Sequence, residues 1–215
     1  MRTSLGPGDL ARYLKAQLES TFPDGRKAAL KPVVGRALER VEGSFARIVL
    51  PGYSKGGEAT FSHLQGDQYA AFLYFAANTA WREAEDVELA SKLFLLNKAL
   101  NGIVVMYDTL LPEVFVLMHT VGAVLGKANY GNYFVAAQGV TVGMDRDAIP
   151  TFGERVVLYG GSTVIGGCRV GNHVTIASNA TVRGETIPDG QVVAGSSPEL
   201  VVKPATRDVS TLYFV

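Results

Sequence analysis

Three histidines, His63, His119 and His173, and one cysteine, Cys168, are the residues of this chain best suited to proton transfer or nucleophilic attack near neutral pH. A neutral imidazole within reach of a hydroxyl can take its proton as the oxygen attacks, which an unaided alcohol does poorly near pH 7. A water-activating zinc site would need all three histidines together, and their spread along the chain opposes that. His119 follows Met118, a position that the repeat described below turns toward a core, so the His119 side chain points outward. His63 falls in a loop and His173 on the outward side of a repeat, and both read as surface histidines. Cys168 falls at a small, inward position and reads as packing. Asp145 and Arg146 stand in a loop and are candidates to hold a charged acceptor.

The elements that position these residues fall into two halves. In the first, the apolar positions Leu10, Tyr13, Leu14 and Leu18 share one helical face, with Asp9 as the expected cap. Leu30, Val33, Val34, Ala37, Leu38 and Val41 mark a second helix by the same spacing. Val49 to Gly66, broken by Pro51, Gly52, Gly56 and Gly57, reads as a loop, and Gly6-Pro7-Gly8 as a flexible start. Asp67 is the expected cap of a third helix, apolar nearly all round and therefore buried. A fourth runs from about Val87 to Leu100, with Leu89, Leu93, Leu96 and Leu100 as its stripe, and ends at Asn101-Gly102.

Beyond Gly102 the period becomes six. Positions 152, 158, 164, 170, 176 and 182 are Phe, Leu, Val, Val, Ile and Val, and four residues after each stand Val156, Ser162, Cys168, Val174, Ala180 and Thr186. Upstream, positions 118, 124, 130, 136 and 142 are Met, Val, Tyr, Ala and Val, followed at plus four by Gly122, Ala128, Phe134 and Val140. The two registers are offset by four residues, so a loop is extruded between Gly143 and Thr151. A period of six drifts around a 3.6-residue helix, but it suits short strands that form the sides of a triangular solenoid. Residues 106–190 supply between four and five coils. The competing β-sandwich with irregular turns fits poorly, since Leu158 to Val182 keeps the period without a miss. The fold class is α+β: an all-α N-terminal domain over 1–102, a β-solenoid over 103–205, and a C-terminal tail over 206–215.

Composition bounds the partners. The 215 residues, 47% of them hydrophobic, suffice for one large or two small domains. Twenty lysines and arginines balance twenty aspartates and glutamates, so no net field draws nucleic acid or a membrane surface. No apolar run approaches the ~18–20 residues of a membrane span, and the N-terminus lacks the apolar core of a signal peptide. One cysteine excludes internal disulfides and fits a reducing compartment. These readings give a soluble, cytoplasmic protein with no membrane span and no nucleic-acid partner.

Met118-His-Thr-Val-Gly-Ala-Val-Leu-Gly, continuing to Gln138-Gly-Val-Thr-Val-Gly143, resembles the catalytic stretch of serine acetyltransferases. Gly160 to Ala180, and the exit Ile187-Pro-Asp-Gly-Gln-Val-Val-Ala-Gly-Ser-Ser-Pro, resemble that family's last coils. The resemblance implies a left-handed parallel β-helix, a homotrimer or a dimer of trimers, and acetyl-CoA in the groove between adjacent β-helices. It makes His119 the general base, with Asp108 its orienting carboxylate and Glu113 a competitor. It implies coenzyme A contacts at Gly143, Gly160, Ser178 and Ala180 along one edge, with Lys203 near the nucleotide phosphates, and no metal. Asp145 and Arg146 would hold the small-molecule acceptor. Three features depart from the family pattern: Met118 replaces the aspartate before the catalytic histidine, Asp147 replaces a second histidine, and the extruded loop is shorter than the family's usual one. The expected function is a CoA-dependent O-acetyltransferase acting on a small hydroxyl acceptor. The alternatives are an N- or O-acyltransferase acting on a sugar or nucleotide sugar in surface polysaccharide synthesis, and a non-catalytic β-helix scaffold.

Overall fold

The computed structural model describes residues 1–26 and 28–215. Its first half packs β1 (Arg2–Thr3), α1 (Pro7–Thr21), α2 (Leu30–Phe45), the hairpin β2 (Ser54–Lys55) and β3 (Glu58–Phe61), α3 (Gly66–Arg82) and α4 (Val87–Asn101). The helical half departs from two expectations. The start of the chain is ordered by pairing, because β1 runs parallel to β3, and Pro7 opens α1 two residues before Asp9 with its φ already helical. The expected loop over 49–66 contains β2 and β3, whose two- and four-residue strands are too short to show a period. α3 is buried from Gln68 to Ala80, as its all-round apolarity requires. α4 ends at Gly102 in the left-handed conformation that a residue without Cβ adopts freely, and Leu100 stays outside its buried stripe.

The second half is a parallel β-helix. Its first coil holds β4 (Phe115–Leu117) and β5 (Val124–Leu125); the second holds β6 (Phe134–Ala136), β7 (Thr141–Gly143) and β8 (Thr151–Phe152). The third holds β9 (Val157–Leu158), β10 (Thr163–Ile165) and β11 (Arg169–Val170), and the fourth β12 (Thr175–Ile176), β13 (Thr181–Arg183) and β14 (Thr186–Ile187). β15 (Gln191–Ser196) starts a fifth, and β16 (Glu199–Pro204) folds back on it antiparallel. Each strand pairs in parallel with its counterpart one coil on, and Leu158 sits over Ile176 and Val164 over Val182.

The six-residue register holds through the middle coils, where Phe152, Leu158, Val164, Val170, Ile176 and Val182 are all buried. It slips at both ends. In the first coil Leu117 lies over Ala136 and Leu125 over Val142, so Leu117 and Leu125 face the core rather than Met118 and Val124, and Val124 is 36% exposed. The step from Leu117 to Leu125 is two residues longer than a repeat, because the bend between them bulges outward through His119 and Gly122, both at positive φ. Ala123 therefore takes the inward place expected of Gly122. In the fourth coil the last step is one residue short, so Ile187 lies over Val170 and Thr186 is turned outward.

One corner is held by close backbone approach. A Cβ on Gly131 would stand 2.3 Å from the Gly153 carbonyl oxygen, and one on Gly153 would stand 2.8 Å from the Asn172 nitrogen. Backbone cannot swing aside as a side chain can. Gly131→Ala is expected to destabilise the protein by about 1–3 kcal/mol or more, read as a lower denaturation midpoint; an unchanged midpoint would contradict the approach.

The halves share one continuous core. Phe115 packs edge-on to Tyr74 and 5.2 Å from Phe75. The Tyr74 hydroxyl donates to the Thr109 carbonyl and accepts the Leu111 N–H, fixing the segment that carries Asp108. Burial pushes the Tyr74 phenol up to about 12, so it remains a donor at working pH. Arg40, 8% exposed, lies over the Phe75 ring and binds Asn78 and Glu113.

Residues 206–215 do not hang free. Asp208 caps a short 3-10 turn (Val209–Leu212) and meets His173 Nδ1 at 2.8 Å. Phe214 is buried edge-on to Tyr133, and the last strand-like residues bond Val49 and Arg47 of the helical half. This segment straps the coils to the helices.

Candidate active site

His119 sits in the bend between β4 and β5, at one corner of the prism, with a positive φ of 52°. The bend is tied to the end of α4: the Thr120 hydroxyl donates to the Asn101 carbonyl at 2.7 Å, and the Gly122 N–H to the Gly102 carbonyl at 3.0 Å. The His119 side chain is 73% exposed, as expected, but it is the outward bulge of the bend and not an inward Met118 that turns it to solvent. The carboxylate that approaches it is Asp67, whose Oδ2 lies 3.9 Å from His119 Nδ1.

The two carboxylates expected beside His119 are engaged elsewhere. Asp108 meets Lys127 Nζ at 3.0 Å in a cleft with Thr109, Asn129, Tyr130 and Ile149, next to the extruded loop. Its other oxygen is buried without a hydrogen-bond partner. Glu113 binds Arg40 at 3.0 Å. Sequence reasoning missed Asp67 because an aspartate at a helix start reads as a cap. The cap is in fact the side chain of Gln65, which accepts the Gln68 N–H and leaves the Asp67 carboxylate free.

The residues expected to meet coenzyme A divide. Gly160 and Ser178 lie on successive coils at the His119 corner, where the Gly139, Gly161 and Asn179 N–H groups donate to carbonyls one coil back. The approach there is tight, since a Cβ on Gly160 would stand 2.7 Å from the Gln138 side chain. Ala180 faces the core instead, and Gly143 closes the same face of the prism at the next corner, so the four do not share one edge. An inward small residue and a strand-end glycine obey the same repeat as a corner residue, which is why they read alike in sequence. Lys203 is exposed on β16, opposite Val192.

Asp145 and Arg146 leave β7 in a tight turn closed by reciprocal bonds between Asp145 and Ala148. Asp145 pairs with Arg183 at 2.8 Å, and Arg146 and Asp147 are exposed. The other two histidines hold chain ends: His63 Nδ1 meets the Ser4 hydroxyl at 2.8 Å, and His173 holds Asp208. Cys168 is buried, as its inward position requires. Among the described residues no three histidine, cysteine or acidic side chains gather at metal-ligating distance, and no helix is long and apolar enough to cross a membrane.

The chain combines a β-helix of six-residue repeats with four helices, and residues 150–184 match the family model described as bacterial transferase hexapeptide (six repeats). More particularly, the chain is similar to serine acetyltransferases. It is 29% identical over 120 residues to a serine acetyltransferase of Helicobacter pylori, an alignment spanning 54% of this chain and 70% of that one. Its fold matches the serine acetyltransferase of Neisseria gonorrhoeae with a TM-score of 0.71 at 21% identity, over 95% of this chain and 81% of that one. It also matches a serine acetyltransferase solved in complex with CoA, with a TM-score of 0.65 at 15% identity, over 92% of this chain and 84% of the other.

Proposed function

We propose that this protein is an acetyl-CoA-dependent acyltransferase that acetylates a small hydroxyl acceptor, with His119 as general base. The observation that carries the reading is His119 itself: an exposed imidazole, fixed on a hydrogen-bonded bend, at the foot of the corner that Gly160 and Ser178 continue. Three coil spacings of ~4.8 Å give this corner a length of ~14 Å, suited to an extended thiol arm. Likeness to a serine acetyltransferase solved with CoA supports the donor. In the reaction, His119 takes the acceptor's hydroxyl proton as the oxygen attacks the thioester carbonyl. Backbone N–H groups near the bend steady the oxyanion. Collapse breaks the carbon–sulfur bond, and the imidazolium returns the proton to the leaving thiolate.

The acceptor is not expected to be L-serine held in the family's manner. Met118 offers no carboxylate for an ammonium group, and Asp147 offers no imidazole in the extruded loop. We infer an acceptor hydroxyl on a compound of different polar outline, a sugar or nucleotide sugar among the candidates. The donor groove forms between copies in a trimer. The test is release of free thiol from acetyl-CoA with L-serine, other hydroxy and amino compounds and nucleotide sugars offered in parallel. Turnover is expected with a hydroxyl acceptor and weak or absent with L-serine. No turnover across the panel, together with no binding of coenzyme A, would leave the non-catalytic scaffold.

A further inference from the structure

A general base needs a third group to fix its ring and its tautomer. Asp67 is placed for that task. It stands in the first turn of α3, where the helix dipole favours a negative charge. Its side chain is only 18% exposed, and His119 is its one ionic partner among the described residues. Burial first, and then the nearby Asp67 charge, push the Tyr53 phenol above its ordinary value, so the carboxylate is felt inside the helical half.

Hydrogen bonds connect α3 to the His119 bend. Asn97 donates to the Ala70 carbonyl of α3 at 3.0 Å, and Asn101 donates to Asn97 at 2.8 Å. The Asn101 carbonyl in turn receives the Thr120 hydroxyl, next to His119. This chain of bonds ties α3 through α4 to the bend without passing through the β-helix core. The 3.9 Å between Asp67 Oδ2 and His119 Nδ1 exceeds a hydrogen bond. The exposed His119 ring can turn to close it, and catalytic hydrogen bonds commonly shorten when substrate binds.

Resting on His119 as the base, we propose that Asp67, supplied by the helical half, is its positioning residue. It receives Nδ1–H and so leaves Nε2 bare to take the acceptor's proton. Asp108, held by Lys127, does not perform this role.

The test reads the His119 tautomer directly, by long-range proton–nitrogen spectra of the intact protein above neutral pH. The three imidazoles are assigned with His63→Ala, His119→Ala and His173→Ala. The wild-type spectrum should show His119 as the Nδ1–H form. Asp67→Asn should move it toward the Nε2–H form, and Asp108→Asn should leave it unchanged. A His119 signal indifferent to Asp67→Asn, or one already in the Nε2–H form in wild type, would overturn the assignment. With a productive acceptor, Asp67→Asn should lower kcat on the order of 10²-fold, with KM for acetyl-CoA little changed and partial recovery in Asp67→Glu. The spectra do not depend on turnover. A tautomer that follows Asp67 in a protein that acetylates nothing would sink the enzyme reading alone. Transfer that needs His119 but ignores Asp67 would sink the positioning role alone.

Discussion

The His119→Ala variant is expected to release thiol from acetyl-CoA about 10²–10⁴-fold more slowly than wild type in the presence of a productive acceptor. The loss should fall on kcat, because alanine removes the proton acceptor and leaves the coil corner that holds the donor intact. The bend itself is secured by backbone and by Thr120, not by the imidazole, so the fold should survive. His63→Ala and His173→Ala form the contrast. Those histidines bind Ser4 and Asp208, so their loss should loosen the N-terminal strand or the C-terminal strap and leave turnover per folded molecule unchanged. Equal turnover in His119→Ala and wild type would remove the histidine from the chemistry.

Phe134→Ala should produce the largest loss of stability, about 3–5 kcal/mol. Phe134 is fully buried at the second coil, with ring centroids 5.0 Å from Tyr130 and 5.4 Å from Phe152. Its strand lies between the irregular first coil and the regular third, so the cavity opens where the two registers are joined. The surrounding strands are fixed by parallel pairing on both sides and cannot collapse inward to fill it. Denaturant unfolding at one fixed protein concentration measures this, since association would shift the apparent midpoint. A change below about 1 kcal/mol would show that the coil relaxes, contrary to the packing described.

The repeat was legible where every sixth side chain faces the core, as from Phe152 to Val182, because a solenoid imposes that spacing on each coil. It is obscured where the chain adds two residues at the first-coil corner or drops one at the last. Such a change leaves composition unchanged but shifts which residues face inward, so Leu117 rather than Met118 faces the core and Thr186 turns outward beside a buried Ile187. The two-residue strand at Arg2–Thr3 and the strap at Tyr213–Phe214 are too short for a period and gain their order from distant partners. The site divided the same way. His119 could be named from its local motif, whereas its carboxylate neighbour could not. Asp67 is far from it in sequence and is brought near by the packing of α3 and α4 against the first coil.

The most direct test of acetyl transfer is to supply acetyl-CoA with an isotopically labelled acetyl group and locate the label by mass spectrometry after incubation with the acceptor panel. Label is expected in one hydroxyl acceptor, with free thiol formed in equal amount and neither product formed by His119→Ala. Label that remains in acetyl-CoA, or appears only in free acetate, would contradict acetyl transfer.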